Sequence, residues 1–153
     1  MKQSTFDSAF ILAAPLEAVW AFHADPAMLA NVMPALPRLR VRRFDAPLTV
    51  GSAIHLELAL GPIRQPWELT VIEVDAGRQF VDQQTGRGPM AYWRHTHAFE
   101  AVRAGTRVID HIEYALPLGV LGRAAAALFG GLAMRMLFAV RRRKTAAWFA
   151  ERR

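Results

Sequence analysis

The chain has 153 residues, enough for one domain with a sizeable core. Its hydrophobic fraction of 53% is above the usual share, which allows a thick core or an apolar cavity. The formal net charge is +6 and there is no cysteine, which excludes disulfides, a thiolate metal site and a cysteine nucleophile. The positive excess is uneven, because Arg141, Arg142, Arg143, Lys144, Arg152 and Arg153 crowd the C-terminal end.

Lys2 is followed by polar Gln3, Ser4 and Thr5, so no signal peptide is visible and the expected compartment is the cytoplasm. Thr5 to Ala13 reads as a first strand. Pro15 sits where a helix can start, since its missing N–H would be unpaired there. Leu16 to Ala24 is a short helix with Leu16, Val19, Trp20 and His23 near one face. Asp25-Pro26 caps and opens a second short helix running towards Val32, and Pro34 and Pro37 end it.

Strands follow. Arg38 to Asp45 is one, and Ser52 to Leu60 alternates well as the next. After the Gly61-Pro62 turn, Arg64 to Val74 sets Trp67, Leu69 and Val71 on one face. Asp75-Ala76-Gly77 is a hairpin turn into the short strand Gln79 to Gln84. Two aromatic and β-branched runs then flank the Arg103-Ala104-Gly105 turn, a hairpin signal. Trp93, His95, His97 and Phe99 share one face of the first run. Val108, Asp110, Ile112 and Tyr114 share one face of the second. Pairing Val102 with Arg107 puts both rows on one side of the sheet, with His97 opposite Ile112 and His95 opposite Tyr114. A one-residue slip would bring His111 in instead.

Beyond Pro117 one long helix is expected from about Gly119 to Arg152, with Gly130-Gly131 marking a kink or a close contact. Leu116 to Val140 is mostly apolar, but Arg123 and Arg135 leave only 11 uncharged residues between them. A spanning helix needs about 20. An amphipathic helix packed on its own domain is the expectation.

The order strand, two helices, six strands, helix resembles the helix-grip fold of the START-like (SRPBCC) superfamily. The most specific parts are Pro15-Leu-Glu-Ala-Val-Trp-Ala-Phe, the Asp25-Pro26 junction, the run Trp93 to Phe99 and the run Gly105 to Gly119. The last two look like a bacterial subgroup labelled polyketide cyclase/dehydratase or ligand-binding protein. The resemblance implies an α+β fold in which a curved antiparallel sheet of about seven strands wraps around the C-terminal helix. It implies a single ligand-binding domain over residues 1–153, and a hollow between sheet and helix suits a small ligand.

The expected ligand is a hydrophobic small molecule: a lipid, a quinone or an aromatic polyketide. Trp67, Trp93 and Phe99 would form apolar wall, and His95, His97, Asp110 and Tyr114 would orient one polar group. Leu121, Leu128 and Leu132 would close the cavity from the helix. The rival reading is a cyclase or dehydratase in which His97 acts as base, Asp110 holds its tautomer and Tyr114 donates to an enolate oxygen. His95-x-His97 with Asp110 could begin a zinc site, but the motif fixes no further ligand, so neither metal nor cofactor is called for. No recognition helix or aromatic ladder accompanies the arginines, which argues against nucleic acid. A third reading is peripheral contact of the basic C-terminal end with an anionic membrane, in which the apolar run after Pro117, followed by Arg141 to Lys144, docks to exchange a lipid or quinone. Both a monomer and a homodimer are compatible with the sequence.

Overall fold

Runs in which apolar and polar residues alternate can bury one face only by pairing into a sheet, and here seven of them do. The computed structural model describes residues 3–152; the side chains of Pro26, Arg123, Ala126 and Phe129, and Arg153 of the basic end, lie outside the described set. The elements are β1 (Ser4–Leu12), α1 (Leu16–Ala24), α2 (Pro26–Val32), β2 (Arg38–Phe44), β3 (Ala53–Leu60), β4 (Ile63–Asp75), β5 (Gln79–Gln84), β6 (Tyr92–Val102), β7 (Gly105–Ala115), α3 (Gly119–Ala125), a π-helical turn (Ala126–Gly130) and α4 (Gly131–Ala150). All neighbours in the sheet are antiparallel, in the order β1-β7-β6-β5-β4-β3-β2. This is the expected α+β helix-grip arrangement.

Local chemistry explains the joints. The Asp25 carboxylate accepts a hydrogen bond from the Ala27 N–H at 2.8 Å, capping α2 as anticipated. Helix α4 buries Met134, Phe138, Thr145 and Phe149. Phe138 joins Trp67, Trp93 and Ile112 in one core cluster, while Phe149 joins Val19, Phe22, Phe80 and Phe99 in the other. No helix among the described residues is long and apolar enough to cross a membrane.

The β6–β7 hairpin differs from expectation by two residues. Val102 pairs with Gly105, not Arg107, so His97 faces Asp110 and His95 faces Ile112. The loop is shorter because Gly105 is itself a strand residue at φ +131°, pressed against the Leu12 carbonyl where a Cβ would collide. A two-residue shift conserves the face, so both predicted rows still point inward.

The C-terminal helix is interrupted by the π-helical turn, although helical backbone angles continue through Gly130 and Gly131. The two glycines are not equivalent. A Cβ on Gly130 would stand 2.5 Å from the Tyr114 hydroxyl, whereas one on Gly131 would meet nothing. Gly131→Ala is therefore expected to stabilise the fold by about 0.5–1 kcal/mol through helix propensity. Gly130→Ala should fall at least ~1 kcal/mol below it, because the buried Tyr114 must move. Urea midpoints of the two variants compare them directly.

Candidate functional site

The inner face of the sheet places Phe80 and Asp82 on β5, His95 and His97 on β6, and Asp110 on β7. In register, His97 lies between Phe80 and Asp110, and His95 lies between Asp82 and Ile112. The hydrogen bonds run along the diagonals. His95 Nε2–H donates to Asp110 Oδ1 at 2.8 Å, and His97 Nε2–H donates to Asp82 Oδ2 at 2.9 Å. The Trp93 indole N–H donates to the other Asp82 oxygen at 3.3 Å. All four ionisable groups are buried. The His95 and His97 rings lie 3.6 Å apart between centroids, and Phe80 stacks on His97 at 4.2 Å and 17°.

Burial alone would raise both carboxylates, but their partners reverse it. The His97 hydrogen bond and charge, with His95 and Trp93, hold Asp82 below its ordinary value. The His95 hydrogen bond and the Arg141 charge do the same for Asp110. Burial and the neighbouring His95 push His97 down to about 4. At neutral pH His97 is therefore a neutral ring whose proton sits on Nε2, bound to Asp82. Its Nδ1 then carries a lone pair, is buried, and has no hydrogen-bond partner among the described residues. Asp110 Oδ1 approaches it only to 3.6 Å.

His97 lines a cavity between the sheet, α2 and α4. Counted as space open to the centre of a water molecule, the volume is about 90 Å³. One water needs about 10–15 Å³ on that measure, so the space takes several waters or one or two fused rings. The walls are apolar, from Met28, Leu29 and Val32 on α2, Ile54, Leu56, Trp67 and Leu69 on β3 and β4, and Leu137 and Phe138 on α4. The polar lining comprises His23, Asp82, His95, His97 and Arg141. Trp67 also lines it, and its indole N–H is a second buried polar group without a partner among the described residues. His23 Nδ1–H donates to the Val19 carbonyl at 2.8 Å, and burial lowers its pKa to about 4.

Of the residues singled out by sequence, Trp67, Trp93, His95 and His97 line this cavity. Asp110 stands behind His95, bonded to it. Phe99 is buried in the second core cluster, edge-on to Trp20, and Tyr114 is buried opposite Trp93 with its hydroxyl near Gly130; neither lines the cavity. His97 and Asp110 are thus neighbours, while Tyr114 does not complete the expected trio. Leu121, Leu128 and Leu132 do not close the cavity, being 73%, 72% and 61% exposed. They fall on the outward side of the helix, and Leu137, Phe138 and Arg141 form the helix wall instead.

Asp82, His23 and Arg141 were not anticipated. Asp82 had a readable signal, since it lies two residues after Phe80 on a strand and so shares its face. Arg141 was hidden within a basic run that reads as a solvated helix end. Ligand atoms of Asp82, His95 and His97 lie within 4.8 Å of one another, so among the described residues these three, with Asp82 in place of Asp110, are the ones that could approach a metal. A zinc ion needs donors at about 2.0–2.2 Å and would compete with the existing histidine–carboxylate bonds.

A family model described as polyketide cyclase / dehydrase and lipid transport matches residues 12–141. The chain belongs to that family. Solved structures of similar fold include protein CV1439 of Chromobacterium violaceum, at 20% identity and a TM-score of 0.74 over 95% of this chain and 96% of that one. A Rhodobacter sphaeroides protein gives 18% identity and 0.75 over 97% and 93%. Protein SA2116 of Staphylococcus aureus, described as of unknown function, gives 10% and 0.75 over 98% and 95%. At these identities the likeness concerns the family fold alone. No curated protein matches the chain significantly.

The depressed histidines make a pH prediction. An unfolded His97 takes a proton below its ordinary 6.5, while the folded one resists down to about 4. Unfolding therefore takes up a proton in that window, and stability falls as pH drops from 6.5 towards 4. The full effect for His97 is about 3 kcal/mol, at about 1.4 kcal/mol per pKa unit. His23 contributes with the same sign. Urea melts at pH 7 and pH 5 should show this loss, and His97→Gln should lose part of the slope.

Proposed function

We propose that the protein binds a small, mostly apolar molecule of the lipid, quinone or aromatic polyketide kind in the cavity between sheet and α4. The observation carrying this reading is an apolar hollow with few polar lining residues, two of which, Trp67 and His97, keep a buried ring nitrogen without a hydrogen-bond partner among the described residues, Nε1–H as donor and Nδ1 as acceptor. A buried polar atom left unpaired costs about 1–3 kcal/mol. A ligand offering one acceptor and one donor recovers that cost, while the apolar walls hold its body. A ring bearing a carbonyl and a hydroxyl meets both needs, which favours a quinol or aromatic polyketide over a plain acyl chain. Arg141, whose guanidinium lies 4.9 Å from the Phe138 ring centre, adds positive charge beside a ligand oxygen.

A second reading, acid–base turnover of a polyketide, rests on the same lone pair of His97. Its orientation by Asp82 suits a general base. Its pKa of about 4 does not, because a base works best near the operating pH. Binding is therefore the preferred reading.

Native mass spectrometry of protein purified gently from its host should find one co-purifying apolar compound. Met33→Trp, which adds bulk at the lining, should abolish its retention. His97→Ala should weaken it only about tenfold, one hydrogen bond's worth. A loss of turnover of about 100-fold or more in His97→Ala, on a polyketide substrate, would instead support the enzymatic reading.

A further inference from the structure

Eleven large apolar side chains are strongly exposed among the described residues, and six of them fall within one segment: Leu118, Val120, Leu121, Leu128, Leu132 and Met136. They are between 61% and 79% exposed. Leu118 precedes α3 and Val120 lies in its first turn, and Leu121, Leu128, Leu132 and Met136 recur at helical spacing along the outward side of α3, the π-helical turn and α4. Apolar clusters of this kind mark interaction surfaces. The cavity does not need them, since α4 turns Leu137 and Phe138 towards it.

Charge decides the partner. From Tyr114 to Ala150 the sequence contains no aspartate or glutamate, but it contains Arg123, Arg135, Arg141, Arg142, Arg143 and Lys144. Arg135, Arg142 and Arg143 are exposed beside or just beyond the apolar side chains. Leucine and methionine flanked by cations, with no anion in reach along the helix, match the interface of an anionic bilayer. A second copy of the chain is a poorer match, because a two-fold contact over this face would bring like charges together.

We infer that the outward face of α3, the π-helical turn and the first half of α4 docks on anionic lipid. Leu121, Leu128, Leu132 and Met136 enter the acyl boundary, and Arg135, Arg142 and Arg143 lie at the headgroups. The docking face and the cavity wall are then two sides of one helix. Docking narrows the expected membrane contact to one face, with named leucines and arginines.

The test is flotation of the purified protein with vesicles of phosphatidylcholine, with or without one-third phosphatidylglycerol, at low and physiological salt. Binding should require phosphatidylglycerol and weaken with salt. Leu128→Glu/Leu132→Glu alters only exposed positions and should reduce binding at least tenfold while circular dichroism and the urea midpoint stay unchanged. Arg142→Gln/Arg143→Gln should weaken binding by about fivefold for each cation removed. Absence of binding to anionic vesicles at low salt would overturn the proposal. So would undiminished binding by the folded leucine variant. A concentration-dependent dimer that the leucine variant abolishes, without vesicle binding, would assign the face to a second copy and equally overturn it.

Discussion

Two carboxylates buried in a sheet must be partnered, and the rest of the site follows from how Asp82 and Asp110 are. An ionised carboxylate left unpaired in the interior costs several kcal/mol. Each aspartate here takes an imidazole N–H from the diagonal neighbour across the strand pair. Those two bonds fix which ring nitrogen carries the proton, and Phe80 and the paired rings fix the plane. The remaining nitrogen of His97 has no group among the described residues to satisfy it. A polar ring is thereby held in the lining of an apolar hollow.

The hollow itself is a matter of which face each element turns. Strands β3 and β4 offer Ile54, Leu56, Trp67 and Leu69, and α2 leans Met28 to Met33 over them. Lys144 ties α4 to this lid through the Met33 carbonyl at 2.7 Å. Helix α4 is consequently held against α2, with Leu137 and Phe138 inward and Leu132 and Met136 outward. One helix is apolar on both its inward and its outward side.

That doubling explains what was legible in the sequence and what was not. The strands, their order in the chain and the inward row of β6 could be read from period-two alternation, and the short helices from Pro15 and Asp25-Pro26. Pairing partners could not be, since a two-residue register shift conserves every face; Gly105 determined it through a close approach to Leu12 visible only in three dimensions. Leu121, Leu128 and Leu132 were misassigned because apolarity on both sides of a helix leaves no moment to orient it. Asp82 was missed because a lone aspartate on a six-residue strand carries no motif, although its spacing from Phe80 put it on the inner face. Arg141 looked like its solvated neighbours, and only the packing of α4 distinguishes it.

The state of the His97 ring tests this picture most directly. Nitrogen-15 spectra of the histidine side chains, recorded from pH 7 to the edge of stability, report proton position and titration together. A neutral ring protonated at Nε2, with an unprotonated Nδ1, and charging only towards pH 4, is the expected result. An imidazolium at pH 6, or a proton resting on Nδ1, would contradict it and remove the acceptor that the proposed ligand binding uses.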